Sequence, residues 1–172
     1  RNVTGVQTCA LPIYLAAGVD DGPRAISFGL SAIRNVGEGL VQQLLDERDA
    51  NGPYVSFHDF CDRAPEQVLN KRTVESLIKA GAFDSLGHPR RGLLMVFEQI
   101  IDTTIDRRRE RDKGIMSLFG DEMGGDGGFS DRIEIPALEF DKTDKLRNEK
   151  EMLGLYISDH PLMGLEYALR RR

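Results

Sequence analysis

One position governs how this chain can fold: the point where an apolar stripe restarts directly on glycine. In "AIRNVGEGLVQQLLDER" (residues 32–48), Leu40, Val41, Leu44 and Leu45 follow Gly37-Glu38-Gly39 at helical spacing. That spacing predicts a helix with one buried face. A bare structural turn, a nucleotide loop and a nucleic-acid hairpin all use glycine at such a helix start, so the surrounding sequence has to choose among them.

The surroundings are helical. Phe28, Leu30 and Ile33 precede the glycine pair in what reads as a helix from Ile26 through "LSAIRN", and Asn51-Gly52-Pro53 stops the helix that follows. Ser56 and Asp59 stand in capping-box relation ahead of a short helix that turns Phe57, Phe60 and Cys61 inward. Asn70 is the N-cap for "KRTVESLIKAG", with Val74, Leu77 and Ile78 on the core side and Gly81 as the stop. His88-Pro89 opens a longer helix through Leu93, Leu94, Phe97, Ile100, Ile101 and Ile105. The expected ordered body is all-α, five short helices over about residues 25–109, with strands scarce. Residues 120–130, with five glycines and no period, read as a flexible linker, and "DKTDKLRNEKEMLG" supplies a last helical piece.

A chain of 172 residues, 40% hydrophobic and 30% charged, can hold one ordinary domain or a small domain with tails. No run approaches the roughly 18 apolar residues of a membrane span, and no secretory signal opens the chain, so a cytoplasmic location with no membrane partner is expected. Cys9 and Cys61 lack CxxC spacing or histidine partners, which leaves a zinc site and a disulfide framework unsignalled. The net charge of −5 disfavours nucleic acid at first, but residues 70–113 carry ten Lys/Arg against seven Asp/Glu. Residues 121–151 carry ten acidic against five basic. A basic middle between acidic flanks is compatible with a local phosphate-contacting face.

A dinucleotide loop fits poorly, because the third glycine of GxGxxG would fall at Gln42 and no β-rich run precedes it. A P-loop is excluded by the absence of GK[ST]. The hairpin reading fits: glycines allow a left-handed turn and leave uncovered the amides at the positive end of the next helix, which suit a DNA phosphate. The candidate contacts are Arg34, Val36, Gly37, Glu38 and Gly39. A second hairpin, in "NKRTVESLIKAGAFDSLG", adds Lys71, Arg72, Lys79 and Gly81, and two hairpins in tandem would grip both strands of a duplex. The alternatives are a ligand-free αα turn and a solvated basic face, the latter also for Arg107–Arg109. A base-excision glycosylase would need a nucleophilic Lys or catalytic Asp in a cleft, and Asp46 and Asp49 on a solvent face do not supply one.

The first residues stand apart. "VTGVQTCALPI" (3–13) has no helical or strand period and resembles the in-frame translation of a sequencing-library adapter, so residues 1–14 are expected to be an artefact.

"FGLSAIRNVGEG", "NKRTVESLIKAGAFDSLG", "MSLFG" and "EKEMLGLYISDHPL", in this order, resemble the C-terminal region of the bacterial DNA polymerase III alpha subunit family, the family C replicative polymerases. The resemblance implies a tandem helix-hairpin-helix DNA-binding domain over 20–112. A flexible linker over 113–142 and a helical lead-in over 143–172 to a truncated OB-fold domain follow it. It also implies a sliding-clamp peptide at Ile115, Met116, Ser117, Leu118 and Phe119, with Ile115 where the family places glutamine. The implied partners are primer-template duplex DNA, the sliding clamp and other replicase subunits. The parent reaction uses Mg²⁺, whereas this stretch is expected to be a non-catalytic fragment with no cofactor of its own. A purely protein-binding helical module is the alternative.

Overall fold

The computed structural model describes residues 10–15, 24–113, 132–159 and 161. It opens on a two-stranded antiparallel ribbon, β1 (Ala10–Leu15) and β2 (Arg24–Gly29), with Ala10 opposite Gly29 and Leu15 opposite Arg24. The helix expected from Ile26 is therefore a strand followed by a single 3₁₀ turn, Leu30–Ala32. The reason lies in the same residues: Ile26, Phe28 and Leu30 are spaced by two, which a strand satisfies and a helix start only partly does. The all-α expectation describes the body and misses this ribbon. Four residues of the adapter-like segment, Ala10–Ile13, lie in β1, where pairing is made by main-chain groups that every non-proline residue carries.

The body is helical. α1 (Glu38–Asn51) buries Val41 and Leu44. α2 (Phe57–Arg63) starts where Ser56 accepts the Asp59 N–H at 3.1 Å, while the Asp59 carboxylate accepts the Val55 N–H at 3.0 Å. Between these helices Arg63 fixes the loop: it donates to both Glu47 oxygens at 2.9 and 3.0 Å and to the Gly52 carbonyl at 2.7 Å, and lies over the Tyr54 ring. Phe60 packs on Tyr54, Phe57 and Phe83 with ring centroids 4.9 to 6.0 Å apart, the aromatic centre of the core. Cys61 is buried beside it, and burial pushes its thiol up to about 12, so it is a packing residue.

α3 (Lys71–Ala80) begins where the Asn70 side chain accepts the Arg72 N–H at 2.9 Å and ends on Gly81 in the left-handed region, φ 83°. α4 (Arg90–Asp112) lays Leu93, Phe97, Ile100 and Ile101 across α2 and α3. Arg108 donates to the Cys61 and Ala64 carbonyls at 2.6 and 2.8 Å, and Arg107 pairs with Asp62, so this end of α4 caps α2 and is more than a solvated basic face.

The lead-in segment contributes α5 (Lys142–Leu153), which packs on α3 and places Met152 in the same core. The described end of the expected linker, residues 132–141, also lies against the body, with Ile133 and Ile135 half-buried on it and the Ile133 carbonyl 3.0 Å from His58 Nε2. Joining these parts is a buried ion pair, Arg90 to Glu149 at 2.9 Å, with side chains 3% and 0% exposed. Arg90 forks onto Asp84 at 2.6 and 2.8 Å, and the second Glu149 oxygen accepts the Ile157 and Ser158 N–H groups at 2.7 and 3.0 Å.

Removing one partner of a buried, hydrogen-bonded pair is costly, whereas exposed pairs contribute little. Glu149→Gln should lower the unfolding free energy by about 3 kcal/mol in urea denaturation. Glu66→Gln, which breaks only the exposed contact to Arg109, should change it by less than about 0.5 kcal/mol. A second test uses pH. Burial would raise the Glu47 carboxyl, but hydrogen bonds from Arg63 and Asn51 and the Arg63 charge outweigh it and hold it below 4.5. A depressed carboxylate stabilises the fold above its unfolded value and loses that contribution as pH falls through its folded value. The stability gap between the native chain and Glu47→Gln should be full at pH 7 and close below pH 4.5.

Candidate nucleic-acid interface

The hairpin at 33–38 is built by burying its apolar residues and exposing its polar backbone. Leu30, Ile33 and Val36 sit in the core, and Val36 N–H returns to the Ile33 carbonyl at 3.1 Å. The left-handed residue is Asn35, φ 65°, and not either glycine: Gly37 has φ −80° and Gly39 lies inside the first turn of α1. Asparagine tolerates that region because its short amide finds local partners. Here it donates from Nδ2 to Ser76 Oγ at 3.0 Å, while Thr73 Oγ1 donates to its carbonyl at 3.2 Å. These bonds seat the hairpin on the turn of α3 that carries Arg72. Its other side is held by α5, whose Met152 carbonyl accepts the Arg34 N–H at 3.0 Å.

Of the two uses expected of Gly37 and Gly39, the left-handed turn falls to Asn35 and the uncovered helix start is left to the glycines. A Cβ at either position meets nothing within 4 Å, so the space before the start of α1 is open, and no side chain caps the helix there. Gly37, Glu38 and Gly39 are exposed together with Arg34 and Arg72. The result is an uncapped helix end at exposed Glu38 and Gly39, with the Leu40 and Val41 amides already bonded to the Gly37 carbonyl, and with Arg34 just before the turn and Arg72 on the stretch of α3 that holds Asn35, an arrangement that can accept an anion. Glu38 stands at the same end and contributes opposing charge.

The second hairpin is different. Gly81 is required twice: its φ of 83° suits glycine, and a Cβ would overlap the Arg90 guanidinium. Lys71 is drawn to α4, pairing with Asp102 at 2.8 Å and Glu98 at 3.5 Å, and its ammonium is held above 10.5, mainly by the Asp102 hydrogen bond. Lys79 pairs with Glu75 one turn away at 2.8 Å. Of the nine residues proposed for nucleic acid, Arg34, Val36, Gly37, Glu38 and Gly39 lie together at the start of α1, with Val36 buried, and Arg72 lies on the stretch of α3 that holds Asn35. Lys71 and Lys79 lie elsewhere on α3, and Gly81 is its C-cap. Ile115–Phe119 lies outside the described residues.

Sequence reasoning missed Asn35 and Arg90. An asparagine just before Val-Gly carries a legible turn signal, whereas an arginine in a charged stretch gives no sign that it will be buried.

The helix-hairpin-helix motif family matches residues 7–93, a span that starts inside the adapter-like segment. Over 145 residues the chain is 43% identical to a DNA polymerase III subunit alpha of Mycobacterium leprae, covering 84% of the chain and 12% of that protein. The Saccharopolyspora erythraea protein of the same name is 45% identical over 160 residues, 91% of the chain and 13% of the relative. That of Thermus aquaticus is 41% identical over 142 residues, 80% and 11%. The chain therefore spans only about an eighth of the length of these relatives.

The two kinds of glycine should separate in thermal melts. Gly39→Ala should leave stability unchanged or raise it by up to about 1 kcal/mol, as expected for a helical glycine with free space. Gly81→Ala should lower it by at least about 1–2 kcal/mol from its left-handed backbone alone.

Proposed function

The chain belongs to the helix-hairpin-helix family, in the segment carried by DNA polymerase III alpha subunits, and from that membership we propose that it holds duplex DNA by its phosphate backbone, without reading sequence. The observation that carries this reading is the uncapped start of α1, where Gly37, Glu38 and Gly39 are exposed together with Arg34 and Arg72 and a Cβ on either glycine would meet nothing within 4 Å. Amides and guanidinium groups that meet phosphates position a duplex by charge and geometry and carry no base-reading information.

In a replicase such a grip keeps the primer-template in place, and the proposed role is that of a non-catalytic, cytoplasmic part of a DNA-directed DNA polymerase. Among the described residues no three His, Cys, Asp or Glu side chains converge on a point that could hold a metal ion. Among the same residues no helix is long and apolar enough to cross a membrane. Ser117, Leu118 and Phe119 match the clamp-binding form that the family carries, and tethering of the sliding clamp through residues 115–119 is the second part of the proposal.

The test uses the whole chain, because α5 supplies Met152 to the core and Glu149 to Arg90. Fluorescence anisotropy with a labelled duplex should give binding that weakens steeply with salt, by a log–log slope of about 0.9 per phosphate contacted. Gly37→Val with Gly39→Val should abolish it with the melting curve preserved. Binding that ignores salt, or survives in the folded double variant, would overturn the phosphate reading in favour of a protein-docking module.

A further inference from the structure

The helix stop between α1 and α2 is also the one Asn-Gly pair of the sequence, Asn51-Gly52. Such a pair carries its own chemistry. Glycine has no side chain to shield its nitrogen, so the Gly52 nitrogen can attack the Asn51 side-chain carbonyl carbon whenever the backbone lets the two meet. The N–C bond forms as the Gly52 nitrogen gives up its proton and Asn51 Nδ2 leaves as ammonia, closing a succinimide. Water then opens either imide carbonyl, which leaves aspartate or isoaspartate at position 51 with no oxidation or reduction.

The fold holds each reacting group away from the other. Asn51 is exposed in the last turn of α1, open to water. Its side chain points back along the helix, where Nδ2 donates to Glu47 Oε1 at 2.9 Å. The Gly52 N–H donates to the Arg48 carbonyl at 2.7 Å, with Gly52 at φ 85°. Arg63 fastens both sides: Nε donates to the same Glu47 Oε1 at 3.0 Å, and Nη2 donates to the Gly52 carbonyl at 2.7 Å. The Arg63 and Glu47 side chains are only 20% and 13% exposed, so water competes little for these bonds.

We propose that Asn51-Gly52 is a deamidation site kept latent by the fold, with Arg63 as its guard. Ring closure needs the last turn of α1 to open. That opening breaks the Gly52 bond to Arg48, the Asn51 bond to Glu47 and the Arg63 contact that pins the Gly52 carbonyl. Hydrogen bonds from a charged donor are the stronger ones, so Arg63 sets how seldom the turn opens. Conversion acts on the same knot. It replaces the Nδ2 donor with a second carboxylate beside Glu47, and isoaspartate also adds a methylene to the main chain just ahead of the carbonyl that Arg63 holds. The contacts that fasten α1 to α2 are therefore the ones the modification loosens.

The experiment incubates the full native chain and Arg63→Lys at mildly alkaline pH and follows position 51 by peptide mass spectrometry, with Asn35, Asn70 and Asn148 as internal comparison. Circular dichroism establishes folding, and the native chain unfolded in urea gives the unguarded rate. In urea Asn51 should convert faster than the other asparagines, and in the folded native chain about tenfold slower than in urea. Arg63→Lys keeps the charge and loses the planar fork, so it should convert several-fold faster than the native chain while still folded. Conversion in urea no faster than at the other asparagines overturns the site. Equal rates in the folded and unfolded native chain overturn its latency, and a folded Arg63→Lys that converts at the native rate overturns the part given to Arg63. Should Arg63→Lys not fold, Glu47→Gln, which removes the charge that holds Arg63, takes its place under the same two outcomes.

Discussion

The architecture depends on one buried cation. Arg90 sits at the start of α4 with its guanidinium out of water, and such a charge is tolerated only where its donors are met. Asp84 meets it from the turn after α3, and Glu149 meets it from α5, more than fifty residues on. Gly81 leaves the space the guanidinium fills, and the spare oxygen of Glu149 gathers the backbone of Ile157 and Ser158. A single desolvated arginine thus ties the second hairpin, the last described helix and the chain beyond it into one unit. The net energy of such pairs is modest, but each alternative packing strands a charge, which makes the arrangement specific.

That unit also fixes the first hairpin. α5 reaches Arg90 through Glu149 and, one turn later, accepts the Arg34 amide at the Met152 carbonyl. α3 bears the hairpin on Thr73 and Ser76. The candidate interface is therefore supported by rigid helices on two sides, and its open amides are held in place by groups that never approach a ligand. Preorganised backbone donors bind an anion without the ordering cost that flexible lysines incur. A net charge of −5 does not oppose such a contact, because the relevant field is local.

Much of the helical body could be read directly, because its signals are local. Ser56 and Asn70 cap where their spacing to Asp59 and the following helix says they should, and Phe57, Phe60, Val74, Leu77 and Ile78 are buried as their period requires. The ribbon was missed because only three apolar residues, Ile26, Phe28 and Leu30, carry the strand period, too short a run to stand out beside the helical pattern that follows. The left-handed residue was assigned to the wrong side of the hairpin: glycine is the permissive residue, but Asn35 takes the position because Ser76 and Thr73 satisfy its amide and carbonyl. Lys71 looked free because its partner Asp102, on another helix, carries no mark in the sequence, whereas the Glu75–Lys79 pair is legible from its spacing of four on one helix.

What the sequence determined by itself is the helices, their caps, the bare glycine start of α1 and the family that these motifs identify. All of these are set by residues within a turn or two of each other, where propensity and periodicity act. Tertiary structure alone decided which charges are spent between helices, that α5 and residues 132–141 belong to the body, and that the start of α1 is uncapped while residues 136–139 lie against the start of α4. Most of those outcomes depend on contacts between residues 31 to 75 apart in the chain. Their energies come from desolvation and close approach, which only the folded arrangement defines.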